Sequence, residues 1–485
     1  MGGTTEQRTH HWVTFAVLAV AVGSFALMQS LTVPVLPRIA AELDTDQPTV
    51  TWVLTAYLLS ASVFTPILGR VGDAVGKKRM LVVSLLMLSL GSLVAALAPT
   101  IEVMVAARIV QGAGGGVFPL AFGIIRDEMP HRRLSGALSV ISSLGAVGFG
   151  AGIVLAGPLV NGLGYAWLFW APMIVTAVAA LVAVLVVPES PVRTPGRVPV
   201  IPALLLSAWL VCLLLGVSQA PRWGWASPEV VGLLVAAAVL VVVWVRLELR
   251  VPVPLVDMRM MSRRAVWAPN LVALLVGVAM YASFGFLPQL LQTPTSSGYG
   301  LGAGVEQSGY LMLPMAIASF LMGLVIGPIA RVIGPRTVVI IGSLLGALGL
   351  VVIAVAHSTT GEVVVGITLT GLGIGIVFAS LAGLVVAAVS PEQTGVASGM
   401  NANIRTIGGA VGSAVMSTIV TAHLTADGLP REAGYTTGFT MLAGVMVLCA
   451  VAAALIPRLS GRRYEGELER APLHVTPTAR TNVPA

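Results

Sequence analysis

The chain has 485 residues, 56% of them hydrophobic and only 10% charged, and a mean hydropathy of +0.95. A water-soluble domain is about one quarter charged, so this composition excludes a soluble enzyme or binding module and points to lipid as the solvent. The net charge of +7 does not signal nucleic acid, because the basic residues fall between apolar runs instead of forming a face on a soluble fold.

A bilayer-spanning helix needs about 20 mostly apolar residues. Candidate runs fall near 12–35, 51–70, 80–98, 104–125, 135–158, 166–187 and 201–219, then near 229–245, 265–291, 307–327, 337–356, 363–389, 397–420 and 437–456. The first is too long for a signal-peptide core and reads as an uncleaved span. Pro188, Pro195, Pro221 and Pro294 lie between runs, where helix breakers belong. The expected fold class is an all-α polytopic membrane protein with fourteen transmembrane helices. Its expected layout is a tail over 1–11, a six-helix half over 12–187, a linker with two inserted helices over 188–263, a second six-helix half over 264–456, and a disordered tail over 457–485. Cys212 and Cys449 sit inside apolar runs and read as small packing residues, with neither a disulfide framework nor a metal-ligand spacing.

Cytoplasmic loops of membrane proteins carry the excess of arginine and lysine. With the N-terminus inside, all but five of the 27 basic residues fall on the cytoplasmic side; Arg38, Arg222 and Arg431 are outside, and Arg108 and Arg405 lie within spans. Both termini are therefore expected to be cytoplasmic.

Gly69 to Arg79, "GRVGDAVGKKR", concentrates charge in one turn between spans two and three. It has an echo in "GPIARVIGPR", Gly327 to Arg336, between spans ten and eleven, where Gly327 and Gly334 repeat the spacing of Gly69 and Gly76 and Arg336 stands for Arg79. Internal repeats of this kind mark transporter folds, whose binding sites lie between the repeats. Gly69, Gly72 and Gly76 permit a tight turn and close approach of two helices. Asp73 would face the start of span thirteen, where a helix N-terminus favours negative charge, and Arg405 in that span is its candidate partner. Lys77, Lys78 and Arg79 would anchor the turn on the inner leaflet.

Trp52, Tyr57 and Pro66 lead into this turn, followed by "RIVQGAGGG" from Arg108, "LLQ" and "LMLP" around Gln292 and Pro314, and "GVASGMNANIRTIGGAVG" from Gly395. Together these stretches resemble the major facilitator superfamily, specifically its 14-span drug:proton antiporters. The resemblance implies a two-halved fold, export of hydrophobic drugs by proton antiport with alternating access, and a latch role for the 69–79 turn. It also places Arg108, with Gln111 and Gly112, near the proton-coupling site; the bland alternative is an arginine snorkelling to the outer interface.

The chain departs from the family pattern in the first span, where Met28 (beside Gln29) occupies the usual aspartate position, and in span five, where Ile153 replaces a proline. No acidic residue lies deep in a span, so the usual carboxylate of a proton-coupled site is missing, and both intramembrane charges are positive. Neutral or anionic lipophilic substrates are therefore expected. Met28, Gln29, Tyr57, Asn270, Tyr281, Asn401 and Asn403 are the cavity candidates, with Trp52 and Tyr310 assigned to the interfacial aromatic belt. Glycine pairs four apart, 112/116, 148/152 and 408/412, read as close-packing helix faces. A second transport reading is export of one endogenous lipid or secondary metabolite, its coupling independent of a first-span carboxylate. A non-transporting sensor is a third possibility. A membrane enzyme fails because no histidine has a carboxylate or cysteine at catalytic or metal spacing, and no GxxxxGK[ST] loop is present for ATP. No cofactor and no metal are expected, and the chain is expected to act as a monomer in the bilayer.

Overall fold

The computed structural model describes residues 3–190, 199–422, 424–425 and 429–458. The tail expected to be disordered after Ile456 lies almost wholly outside these residues. Among the described residues, fourteen helices are long and apolar enough to cross a bilayer, one at each predicted run. Among the described residues the only strand-like pairing is an isolated bridge between Leu424 and Pro430. This follows from the solvent: in lipid every backbone amide must be satisfied within its own segment, which leaves a helix as the choice for a single span.

The first half comprises α1 (Gly3–Ser30), α2 (Trp52–Val75), α3 (Lys77–Ala96), α4 (Ile101–Glu128), α5 (His131–Leu163) and α6 (Trp167–Val186). The inserted pair is α7 (Val200–Trp223) and α8 (Pro228–Glu248). The second half comprises α9 (Arg264–Gln292), α10 (Val305–Ile333), α11 (Pro335–Val355), α12 (Thr360–Ala388), α13 (Thr394–Thr421) and α14 (Glu432–Ala453). Several helices outrun their apolar runs because their ends carry their own stops. Thr359 and Glu362 form a capping box ahead of α12. Gly76 and Gly334, at φ 134° and 84°, end α2 and α10 in a backbone region open to glycine.

Leu18, Phe25, Leu85 and Leu138 centre the core of the first half. Val276, Ile374, Phe439 and Met446 centre that of the second. Leucines and valines on the outer surface are bare, Leu185 at 73% and Val332 at 83% exposure, as a lipid-facing rim requires. The end of the bundle carrying the 75–77 turn also carries Arg79, Arg126, Arg264 and Arg336, and is called here the basic end.

The halves meet along two seams. On one, α5 and α10 touch from end to end: a Cβ on Gly327 would lie 3.1 Å from Gly136 Cα, and one on Gly157 would lie 3.4 Å from Glu306 Cα. On the other, α2 and α13 touch at the basic end only, where a Cβ on Gly69 would lie 2.6 Å from the Gly395 carbonyl oxygen. The sequence echo thus has a structural counterpart. Each half lays its second helix, through the glycine seven residues before its turn, against the fifth helix of the other.

Candidate functional site

At the basic end of the α2–α13 seam, Asp73 is 1% exposed, and its Oδ2 accepts the Val396 N–H at 3.2 Å. The carboxylate sits at the first turn of α13, where free N–H groups and the helix dipole favour negative charge. A Cβ on Gly395 would lie 2.8 Å from either carboxylate oxygen and 2.7 Å from the Gly69 carbonyl oxygen, so glycine at both positions lets the backbones meet. Gly72 packs against Leu120 of α4. A second bridge across the seam is absent from the sequence reading: Arg126, at the end of α4, donates to Thr394 Oγ1 at 2.6 Å and to the Val389 carbonyl at 2.9 Å. From the sequence it counted only as one more loop charge.

Two expectations for this turn are corrected. Arg405 does not meet Asp73. It lies nine residues beyond Val396, about 13 Å along the helix at 1.5 Å per residue, with its guanidinium 4.3 Å above the Phe378 ring. Lys77 does not reach toward the leaflet. It is 1% exposed, and its ammonium donates to Asp127 Oδ2 at 2.7 Å and to Ser190 Oγ at 3.3 Å. A buried ammonium needs a charge partner and filled hydrogen bonds, and Asp127 and Ser190 supply them. Lys78 donates its backbone N–H to Glu189 Oε1 at 3.2 Å, and Arg79, largely exposed, faces Glu189 Oε2 at 3.7 Å. The chain leaving α6 is thereby clamped onto the turn. Ser190→Ala, which removes a partner from both members of the ion pair, is expected to lower stability by about 1 kcal/mol, measurable as a thermal shift in detergent.

Near the opposite end of the first half, Arg108 is 1% exposed, not snorkelling. Its Nε donates to the Val53 carbonyl at 2.9 Å, Nη1 to Gln111 Oε1 at 2.6 Å and Nη2 to Thr32 Oγ1 at 3.5 Å, and its guanidinium lies 4.2 Å from the Tyr57 ring centroid. Gln111 is held in turn by Ser92 at 2.8 Å. Gly112 brings α4 against α2: a Cβ there would lie 2.6 Å from the Tyr57 carbonyl oxygen. These three hydrogen bonds of the guanidinium go to neutral oxygens, and the aromatic face supplies further electrostatic support.

Between the halves lie two adjoining cavities. The inner one, about 30 Å³, is bounded by Phe25, Gln29, Phe118, Tyr281, Asn403 and Arg405 among others. The outer one, about 350 Å³, runs between the diverging parts of α2 and α13, with Leu58, Tyr281 and Thr406 common to both. Gln29, Tyr281 and Asn403 line this inner space, and Arg405 joins them. Asn403 is buried with neither its Oδ1 nor its Nδ2 partnered. The other cavity candidates lie elsewhere. Met28 is in the first-half core, and Tyr57 is under Arg108. Asn401 donates to Asn270 Oδ1 at 2.8 Å, so these two amides satisfy each other between α13 and α9. Sequence reasoning also missed the aromatic shell: Phe149 meets Tyr281 edge-to-face at 5.4 Å between ring centroids and Phe284 at a tilt at 4.8 Å, and Phe118 meets Phe25 edge-to-face at 5.8 Å.

The Major Facilitator Superfamily profile matches residues 18–413 and 273–481 in two overlapping stretches. The chain belongs to the major facilitator superfamily. That superfamily is one of transporters, not enzymes, and this member is a multi-pass membrane protein. Over 317 residues it is 31% identical to the multidrug resistance protein B homolog of Mycobacterium tuberculosis; the match covers 64% of this chain and 57% of that relative's length. Fuller matches are the lincomycin resistance protein of Streptomyces lincolnensis, 28% identical over 92% of this chain and 91% of that one, and the cephamycin export protein of Amycolatopsis lactamdurans, 28% identical over 98% and 97%. The fold is shared with the human organic anion transporter MFSD10 (TETRAN), with a TM-score of 0.63 at 17% identity, covering 92% of this chain and 99% of that one.

Within this superfamily member, every acidic residue of the fourteen spans falls in a first or last turn, as with Asp73, Glu102, Asp127, Glu248 and Glu306. The cationic groups are the ones placed deep: Arg108 in the first half and Arg405 in the second. Ile153, at the position expected to be proline, packs with Phe149 into the second-half core across the α5–α10 seam.

Proposed function

We propose that this protein is a secondary active exporter of neutral or anionic lipophilic compounds, working by alternating access, with the structure in its outward-facing form. The observation that carries the reading is the two-ended asymmetry of the α2–α13 seam. It is closed at the basic end by Gly69, Asp73 and Gly395, and holds a 350 Å³ cavity beyond that closure. The positive-inside rule assigns the basic end, and both termini, to the cytoplasm. Resistance and export functions named for the relatives support the direction of transport.

Arg405 and the unpartnered Asn403 amide face the inner cavity, and its described lining includes no carboxylate. A desolvated guanidinium on an aromatic face attracts an anionic or acceptor-rich group and repels a cation. Arg405→Gln is expected to reduce export of an acidic lipophile by about tenfold, the loss of one charge-assisted hydrogen bond, and to leave a neutral one unaffected. Competition between the two in everted vesicles measures this directly. Efflux of a cationic dye at an equal rate by the wild-type protein would count against the preference.

Proton antiport acts, in this reading, through Asp73. Its carboxylate ties the halves through the Val396 N–H, and neutralising it would weaken its hold on the α13 N-terminus. The companion reading, export of a single endogenous lipid or metabolite with coupling independent of the first span, is favoured by the buried Met28 where an acid is usual. The purified monomer in liposomes with an internal pH-sensitive dye tests both. Lipophile-dependent proton flux supports antiport, and lipophile movement without proton flux supports the companion.

A further inference from the structure

We infer that α7, the first inserted helix, is a wall of the substrate site, and that Leu214 and Ser218 set the size of lipophile the outer cavity accepts. This rests on the transport reading above but concerns a helix that lies outside both six-helix halves. The cavity is bounded on one side by Thr55 and Leu58 of α2 and on another by Ser413 and Ser417 of α13. Its third side is α7, through Leu214, Ser218, Pro221 and Arg222. Their spacing of four, seven and eight residues is a single helix face over two turns.

Gly216, off that face, packs α7 against α8, where a Cβ would meet Leu233 Cβ at 3.2 Å. Towards the basic end the same helix is a seal: Leu206, Trp209 and Leu210 join Val396 and Met400 of α13 in one buried cluster. At the far end, Trp225 Nε1 just after α7 donates to Thr418 Oγ1 of α13 at 2.9 Å. The helix is thus fixed to the seam below and tied to it above, and between these points its face is given to the cavity. The opposite seam has no such opening, since α5 and α10 touch along their whole length. Molecules reaching the site on this side therefore lie against α7.

The lining also defines the ligand class. It offers leucine and aromatic surface, the hydroxyls of Thr55, Ser218, Ser413 and Ser417, and Arg222 at the mouth, whose charge also reaches Asp46; none of the described lining residues is acidic. A volume of 350 Å³ lies within the range of formed small-molecule pockets, about 300–1,000 Å³. The fit is a drug-sized lipophile with hydrogen-bond acceptors or an acidic group.

The test is photolabelling of the reconstituted full chain with a long-chain carboxylic acid carrying an alkyl diazirine. Adducts are mapped by mass spectrometry with and without excess non-photoreactive acid. Adducts on 214–222 that the competitor removes, accompanied by adducts on 55–59 or 413–417, are expected. Ser218→Trp should lower the competed labelling by about tenfold, while Val239→Trp, on the bare outer side of α8, leaves it unchanged. Should Ser218→Trp not fold, the wild-type map alone decides. Competed adducts confined to α1, α2, α4 and α13, or α7 labelling that the competitor does not reduce, would overturn the inference. The map needs no turnover: competed α7 adducts without flux would defeat the transport reading and keep the site, and flux without them would do the reverse.

Discussion

Gly395→Ala is expected to lower lipophile flux by about tenfold to a hundredfold. At an unobstructed helical position the same change stabilises a protein by about 0.5–1 kcal/mol, because alanine restricts the unfolded chain and favours the helix. At residue 395 the new Cβ would lie 2.7 Å from the Gly69 carbonyl oxygen and 2.8 Å from the Asp73 carboxylate, a backbone and a constrained side chain. Relieving that overlap must move α13 off α2 or displace Asp73 from the Val396 N–H. Overpacking costs about 1–3 kcal/mol, applied here to the closed seam and not to either half. Each 1.4 kcal/mol is a factor of ten in the population of the closed form. Gly162→Ala, in α5 with no atom within 4 Å of its added Cβ, is the matched control and should retain flux. Flux assays in proteoliposomes, with thermal unfolding in parallel, separate a seam effect from general misfolding. Equal flux in the two alanine variants would remove the seam from the transport cycle.

Arg108→Ala is expected to destabilise the protein by about 3–5 kcal/mol, in the range of large buried truncations. The variant leaves a void beside Tyr57 and strips Gln111 Oε1 and Thr32 Oγ1 of a donor at a site that is 1% exposed. Arg108→Lys keeps the charge but cannot reach Val53, Gln111 and Thr32 together from one compact ammonium, so an intermediate loss is expected. Arg108→Met carries the functional question. Replacing a desolvated charge by an apolar chain of similar length is often close to neutral for stability, so Met should restore most of the lost melting temperature. If the guanidinium serves transport, flux stays low in the Met variant. Recovery of both stability and flux would make Arg108 a packing residue.

The fourteen spans were legible because lipid imposes one rule, apolar length, and each helix obeys it within its own segment. The Asp73–α13 contact was legible because an acid between two glycines has few uses in a cytoplasmic turn. Side-chain destinations were harder to read. Arg405 looked like a partner for Asp73 on charge alone, but helix rise separates them, and only the fold brings Phe378 beneath it. Lys77 belonged to a basic cluster that usually marks topology; its burial depended on Asp127 and Ser190, 50 and 113 residues away. Asn270 and Asn401 looked like cavity polars because a lone amide in lipid needs a reason, and their pairing 131 residues apart supplied one. Arg126 and the aromatic shell carried no local signal, since each joins residues far apart in the chain. The face of α7 was written in the spacing of Leu214, Ser218, Pro221 and Arg222, but an apolar helix shows such a stripe only once its neighbour is known.

The central claim is that the basic end must open for transport to occur, and a reversible bond across it tests this most directly. Ser139 of α5 and Gly327 of α10 face each other there, with a Cβ on Gly327 3.6 Å from Ser139 Oγ. The double variant Ser139→Cys/Gly327→Cys, with Cys212 and Cys449 changed to alanine, should form a disulfide on mild oxidation. Flux in proteoliposomes should then be lost, and a reductant should restore it. Undiminished flux in the fully oxidised protein would contradict the account, because the halves would then carry substrate without parting at the basic end.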